Sequence, residues 1–260
     1  MNEEEQEEGY AKIEQAKNQS PFLIPAAIIV AGFFVAAAIV YSNKTPALPT
    51  GVGAAVAGAG QQVAGSPVRA RQVSAQDHLL GNPAAPVTVI EYSDLECPFC
   101  KNFHATMHQI MEGGNGTDGY GVSGKVAWVY RQFPLAQLHP KAPDEANASE
   151  CVAELGGNEA FWRYIDKIFA NTPSNNGLDL ALLPKWAGEL GVNASAFDAC
   201  VKSGRHTKRI QDDSADAAAA GGQGTPYSVV ITKSGKTFVI NGAQPYAETK
   251  KIIDAALAEK

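Results

Sequence analysis

Cysteine is scarce in this chain: four in 260 residues, too few for a disulfide scaffold, so each must be read by its position. Charge is sparse at 18%, and no positive excess exists, since the formal net charge is −6. The first twenty residues hold six Glu against two Lys, a net of −4, which leaves −2 for the other 240. That near-balance offers no basic footprint for nucleic acid, so none is expected as a partner. Aromatics are few at 8%, yet 45% hydrophobic residues exclude wholesale disorder. The length fits one or two domains. From Asn18 to Asn43 charge is missing altogether.

That uncharged run divides the chain. Residues 1–20 form an acidic tail. Residues 21–41 (PFLIPAAIIVAGFFVAAAIVY) are mostly apolar, and a helix of that length is roughly 30 Å long, the depth of a hydrocarbon core. Pro25 lies in its first turns, where a missing N–H costs least. A cleaved signal peptide competes, with Ala36-Ala37-Ala38 as a mimic of a cleavage site, but the long acidic leader opposes it. An uncleaved transmembrane anchor is therefore expected, with Lys12 and Lys17 against Lys44 mildly favouring an internal N-terminus. Residues 42–72 are rich in Gly, Ala and Pro and read as a flexible linker that lets a membrane-held body reach partners of varied shape.

The body starts near Val73. Val87 to Tyr92 (VTVIEY) reads as a buried strand. Cys97-Pro98-Phe99-Cys100 follows and opens a helix in which Phe103, Met107, Ile110 and Met111 recur at helical spacing, ended by the glycine-rich stretch 113–124. Pro98 suits the first helical turn. Val126 to Phe133 is a second strand. Residues from about 138 to 220 are helical, with Phe161, Ile165, Ile168 and Phe169 on one face, and Asn193 and Gly204 read as the caps of one helix. Tyr227–Thr232 and Thr237–Ile240 are strands around a turn, and Tyr246 to Ala258 closes the chain as a helix. The order describes an α/β sheet interrupted by a helical insertion.

The strand-to-helix junction gives the cysteine pair its chemistry. A helix N-terminus offers unpaired N–H groups and about half a positive charge, which favours a thiolate. The thiolate attacks in disulfide exchange, and two intervening residues let the second sulfur reach the first. Cys97, nearer the tip, is expected as the nucleophile and Cys100 as the resolving thiol. Two readings compete: an inert disulfide, and a metal site in which Cys100, His104 and His108 share a helical stripe. Positions i, i+4 and i+8 on one straight helix diverge too far to enclose an ion easily, and two surface histidines are the blander account.

VTVIEYSDLECPFCKNFH, FWRYIDKIF, GGQGTPYSVVI and NGAQPY together resemble the DsbA-like thiol–disulfide oxidoreductases of the thioredoxin superfamily. The resemblance implies a thioredoxin fold at 73–133 and 223–260 with a helical domain inserted at 134–222. It implies that Thr225-Pro226 is the threonine–cis-proline facing the active-site sulfurs, a backbone edge for a substrate strand. It also implies that Glu91 is a buried acid beneath the cysteines, able to relay a proton to or from Cys100. Two local features pull the other way. Glu96 precedes Cys97 and is a like charge to its thiolate. Phe99 departs from the Pro-His dipeptide of strongly oxidising relatives and cannot donate a hydrogen bond. Phe99 instead suits a shallow apolar patch for unfolded chains.

Cys151 and Cys200 fall in the insertion and, with the CxxC self-paired, are each other's simplest partner, as a structural disulfide fitting an oxidising compartment. Two free buried thiols are the alternative. His139-Pro140 marks the start of the insertion, and Trp162 and Trp186 read as core. The expected activity introduces disulfides into reduced or misfolded secreted proteins, extracytoplasmically, with no metal or organic cofactor. A membrane quinone-linked thiol oxidase would recycle the pair, as the resemblance implies. A reductase or isomerase of the same fold is the alternative, and a Cys/His metallochaperone the other class.

Overall fold

The computed structural model describes residues 68–114 and 117–259. The acidic tail, the expected span at 21–41 and the expected linker up to residue 67 lie outside the described residues. Among the described residues, no helix is long and apolar enough to cross a membrane.

Five strands form one sheet in the order β1-β5-β2-β6-β7. These are β1 (His78–Gly81), β2 (Val87–Ser93), β5 (Val126–Gln132), β6 (Tyr227–Thr232) and β7 (Thr237–Asn241). Strand β2 runs parallel to β5 and antiparallel to β6, and the edges β1 and β7 are antiparallel to their neighbours. A parallel pair needs a crossover, supplied here by α1 (Pro98–Glu112). Between α1 and β5 the glycine-rich stretch forms a two-residue pairing of β3 (Gly113–Gly114) with β4 (Thr117–Asp118), where only a helix stop was expected. Four helices separate β5 from β6: α2 (Ala142–Asn171), α3 (Leu182–Glu189), α4 (Ala194–Ser203) and α5 (Thr207–Ala219). Helix α6 (Tyr246–Leu257) closes the chain.

The central strand β2 is buried along nearly its whole length, as its β-branched run requires. Its alternate residues feed two cores. Val89, Trp128, Tyr130 and Val230 pack with Phe103, Met107 and Ile110 of α1 and with Phe161, Ile165 and Ile168 of α2. On the other face Ile90, Tyr92, Val129 and Val229 meet Ala217 of α5. Arg131 is fully buried on this second face and bonds Asp77 at 2.8 Å and Asp216 at 2.7 Å, while Arg71 bonds Asp213 at 2.7 Å. The packed body therefore reaches back to Arg71, and breaking the buried Arg131–Asp77 pair costs about 3–5 kcal/mol.

Helix α2 kinks at Gly157, where φ is 82°, beside Gly156. Cys151 on α2 and Cys200 on α4 are joined as a disulfide, 49 residues apart in sequence. Helix α4 has the caps its sequence promised: the Asn193 side chain accepts from Ala196 N, and Gly204 is left-handed. Strand β1 was not anticipated. Its four residues HLLG lack alternation and stand at an edge.

Near the start of α2, Glu145 is buried with its carboxyl group against that of Glu96. Burial pushes it up to about 10, and the neighbouring Glu96 and Asp94 carboxylates add to the effect. The native state then holds this proton more tightly than the unfolded chain does. Its contribution is intact below the ordinary 4.5 and drains away as pH rises towards 10, by up to about 1.4 kcal/mol per pH unit. Glu145→Gln, which cannot ionise, should flatten this alkaline loss of stability relative to the wild type. Urea unfolding midpoints across the window measure it, and parallel curves for the two proteins would refute the assignment.

Candidate active site

Strand β2 runs into the turn 94–96, and α1 begins at Pro98 with Cys97 as its N-cap. Proline at this first position costs no hydrogen bond, because the first helical N–H groups have no partner within the helix. Both thiols are free. Cys97 keeps 4% of its surface and Cys100 none, so only Cys97 can meet a large partner. The Cys97 thiol is lowered from 9.0 to about 6, first by the hydrogen bond from the Cys100 side chain, then by the backbone N–H of Cys100, the Thr225 side chain and the backbone N–H of Phe99, all against burial. Burial drives Cys100 the other way, well above 9.0, and the adjacent Cys97 sulfur and Glu91 reinforce this. The backbone N–H of Asp94 donates to Cys100 Sγ at 3.4 Å.

Glu91 is fully buried at the centre of the sheet rather than at a solvated edge. The Trp128 indole N–H donates to its Oε2 at 2.9 Å. Burial raises it to about 7, despite the Ser93 side chain and the indole. Cys97 Sγ lies 3.6 Å from Thr225 O, and the Thr225–Pro226 bond is cis. Phe99 is 62% exposed beside the sulfurs.

Glu96 does not oppose Cys97 as its sequence position implied. It is buried, and its carboxylate accepts from Asn176 N at 2.5 Å and Leu178 N at 3.2 Å. The loop that supplies these donors has three successive non-glycine residues with positive φ: Ser174, Asn175 and Asn176. Such backbone is costly unless held, and here the buried Glu96 side chain holds it. Asp94 takes the opposite rim, accepting from Glu96 N at 2.8 Å, Leu135 N at 2.8 Å and His139 Nδ1 at 2.9 Å. Sequence reasoning missed Asp94 and this loop. The Ser-Asn-Asn-Gly run at 174–177 was the available turn signal.

The histidines also differ from expectation. They are not two surface residues: His104 is buried, and both His104 and His108 bond Asp166 on α2. Nor does Cys100 join them: its sulfur lies against Cys97 and accepts from Asp94 N, while the histidines group with Asp166.

Comparison with known proteins agrees with this geometry. The family model described as Thioredoxin matches residues 73–255. Among solved structures, DsbA2 of Pseudomonas aeruginosa is 27% identical with a TM-score of 0.57, covering 71% of this chain and 96% of that one. BdbD of Bacillus subtilis, oxidised, is 23% identical with a TM-score of 0.62, covering 75% and 100%, and shows the shared fold. Among curated proteins, the Na(+)/H(+) antiporter NhaA 1 of Mycolicibacterium gilvum is 33% identical over 153 residues, 58% of this chain. The chain spans only 22% of that antiporter's length. Fold and neighbours define the class as that of the DsbA-type thiol–disulfide oxidoreductases. The chain belongs to the thioredoxin family.

In the dithiol protein, ultraviolet thiolate absorbance should titrate with a midpoint near 6. Cys100→Ala removes the foremost hydrogen bond to the Cys97 sulfur and should move the midpoint upward. A wild-type midpoint near the ordinary 9.0, or one indifferent to that substitution, would contradict this account.

Proposed function

We propose that this chain is a membrane-anchored oxidase of protein thiols that introduces disulfides into reduced or misfolded secreted proteins through Cys97-Pro98-Phe99-Cys100. The observation that carries the reading is the asymmetry of the pair: a marginally exposed, acidified Cys97 at the tip of α1 over a buried Cys100 that resists ionisation. A substrate thiolate attacks Cys97 Sγ of the oxidised pair, and the Cys97–Cys100 bond breaks. Cys100 leaves with the electron pair and takes a proton, for which Glu91, raised to about 7, is the nearby donor. A second substrate thiolate then attacks the substrate sulfur and expels Cys97. Substrate gains a disulfide, and the pair is left as the dithiol. A leaving thiol of low pKa departs faster, so acidity at Cys97 favours this direction. In the opposite direction Cys100 resolves the mixed disulfide.

Thr225-Pro226 offers the substrate a backbone edge, and exposed Phe99 offers an apolar contact. The Cys151–Cys200 disulfide supports an extracytoplasmic body, because such bonds persist in oxidising compartments. The apolar run at 21–41 supports an anchor, and the matching region in proteins named as antiporters accords with membrane attachment. Reoxidation falls to a membrane quinone-linked thiol oxidase. No cofactor takes part in the exchange itself.

Equilibration of the Cys97–Cys100 pair with glutathione tests the direction. An oxidase should lie nearer roughly −120 mV than −270 mV, and a value at or below the latter would identify a reductase. Cys100→Ala should trap substrates on Cys97 as mixed disulfides that reducing agent releases. Glu91→Gln should slow exchange and erase an inflection near pH 7 from the rate profile, and an unaltered profile would remove Glu91 from the proton path.

A further inference from the structure

Beyond the cysteines, α1 carries a second group of chemically able side chains. His104 and His108 stand one turn apart on the same face of the helix. Their Nε2 atoms converge on one oxygen, Asp166 Oδ1, at 2.7 and 2.9 Å. The three prospective donor atoms all lie within 4.8 Å of one another. Behind the site, Glu112 Oε1 lies 2.8 Å from His108 Nδ1, which fixes that ring and directs Nε2 inward. A carboxylate on the far nitrogen of a ligating imidazole is the usual support of such a metal ligand. The His104 ring is wedged against Trp128 and Phe169, with centroids 5.1 and 4.5 Å away. The side chains of His108 and Asp166 are 25% and 39% exposed, so an ion has access from solvent.

We propose that His104, His108 and Asp166 form a divalent-metal site suited to zinc, separate from the redox pair. Two imidazoles one turn apart and a carboxylate from a facing helix supply three of the four ligands of a tetrahedral zinc, and water takes the fourth. Zinc bound at about 2.0–2.2 Å holds neighbouring ligand atoms roughly 3.4 Å apart, so small side-chain rotations from the present geometry suffice. Imidazole with carboxylate selects zinc and its first-row neighbours over calcium or magnesium. The third ligand from α2 is what a single-helix stripe lacks. The inference does not depend on the direction of thiol exchange.

The test uses the full chain with Cys97 and Cys100 oxidised to a disulfide, so that no thiolate competes; Cys151 and Cys200 are already paired. Calorimetric titration with zinc alone should show one equivalent bound. His108→Ala and Asp166→Asn should each weaken binding by at least about tenfold, and Glu112→Gln by about tenfold. Cobalt should give visible tetrahedral bands with no sulfur charge-transfer band. Both substituted ligands are partly exposed, and far-UV circular dichroism checks that each variant folds; should His108→Ala fail, Asp166→Asn and Glu112→Gln carry the same comparison. Absence of zinc binding, binding that survives either ligand substitution, or sulfur bands with cobalt would overturn the proposal.

Discussion

A negative charge on one sulfur is the quantity on which the site depends. Among the described residues, the groups that most lower the Cys97 thiol include no lysine, arginine or histidine. What it has is the S–H of Cys100, the first free N–H groups of α1 and the Thr225 side chain. These groups are in place only while α1 starts at Pro98 and while the segment leading into β6 holds Thr225 against the helix tip, its carbonyl oxygen 3.6 Å from Cys97 Sγ. Helix start, cis-proline segment and central strand must therefore be held in register together. Helix-terminal charge effects are modest singly, about 0.3–1 kcal/mol, so several aligned donors are needed to move a thiol as far as about 6.

The helical insertion supplies much of that alignment. Glu96 and Asp94 flank the turn before Cys97, and both are buried. Each is satisfied by backbone N–H groups from segments more than forty residues away: 176 and 178 for Glu96, 135 for Asp94. Lys101, one turn into α1, donates to Thr172 O at 2.7 Å at the root of the same loop. A buried carboxylate left without its donors carries a heavy penalty, so the loop cannot leave without cost to the turn. The insertion thus clamps the start of α1 from two sides, which makes it part of the active-site mechanics.

What was legible in the sequence was what local chemistry decides. The caps of α4, the β6–β7 hairpin and the junction of β2 with a CxxC helix rest on residues within a few positions of one another. What was illegible depends on distant partners. Glu96 read alone is a charge opposing a thiolate, and only the 174–178 loop turns it into an anchor. His104 and His108 read alone are a polar stripe, until Asp166, about sixty residues on, faces them. Strand β1 is four residues long and takes its conformation from β5 beside it.

The sheet beneath the cysteines departs from what stability alone would select. In register around Glu91 stand Tyr130 on β5 and Ser228 on β6, with Ser93 two residues further along β2. Alternation places these side chains on the face that α1 covers. All four side chains are fully buried; Ser93 stands within reach of Glu91, Tyr130 and Cys100, while Ser228 Oγ has no hydrogen-bond partner. A buried polar atom left unpaired costs about 1–3 kcal/mol, and an apolar side chain of similar size would avoid the cost. Elsewhere β2 obeys the apolar rule, with Val87, Val89 and Ile90 fully packed. The departures gather under Cys100, the group that in the proposed exchange takes and gives a proton where solvent does not reach. A polar floor there has a chemical reason, and the α1, α2 and α5 packing on the remaining sheet surface offsets what it costs.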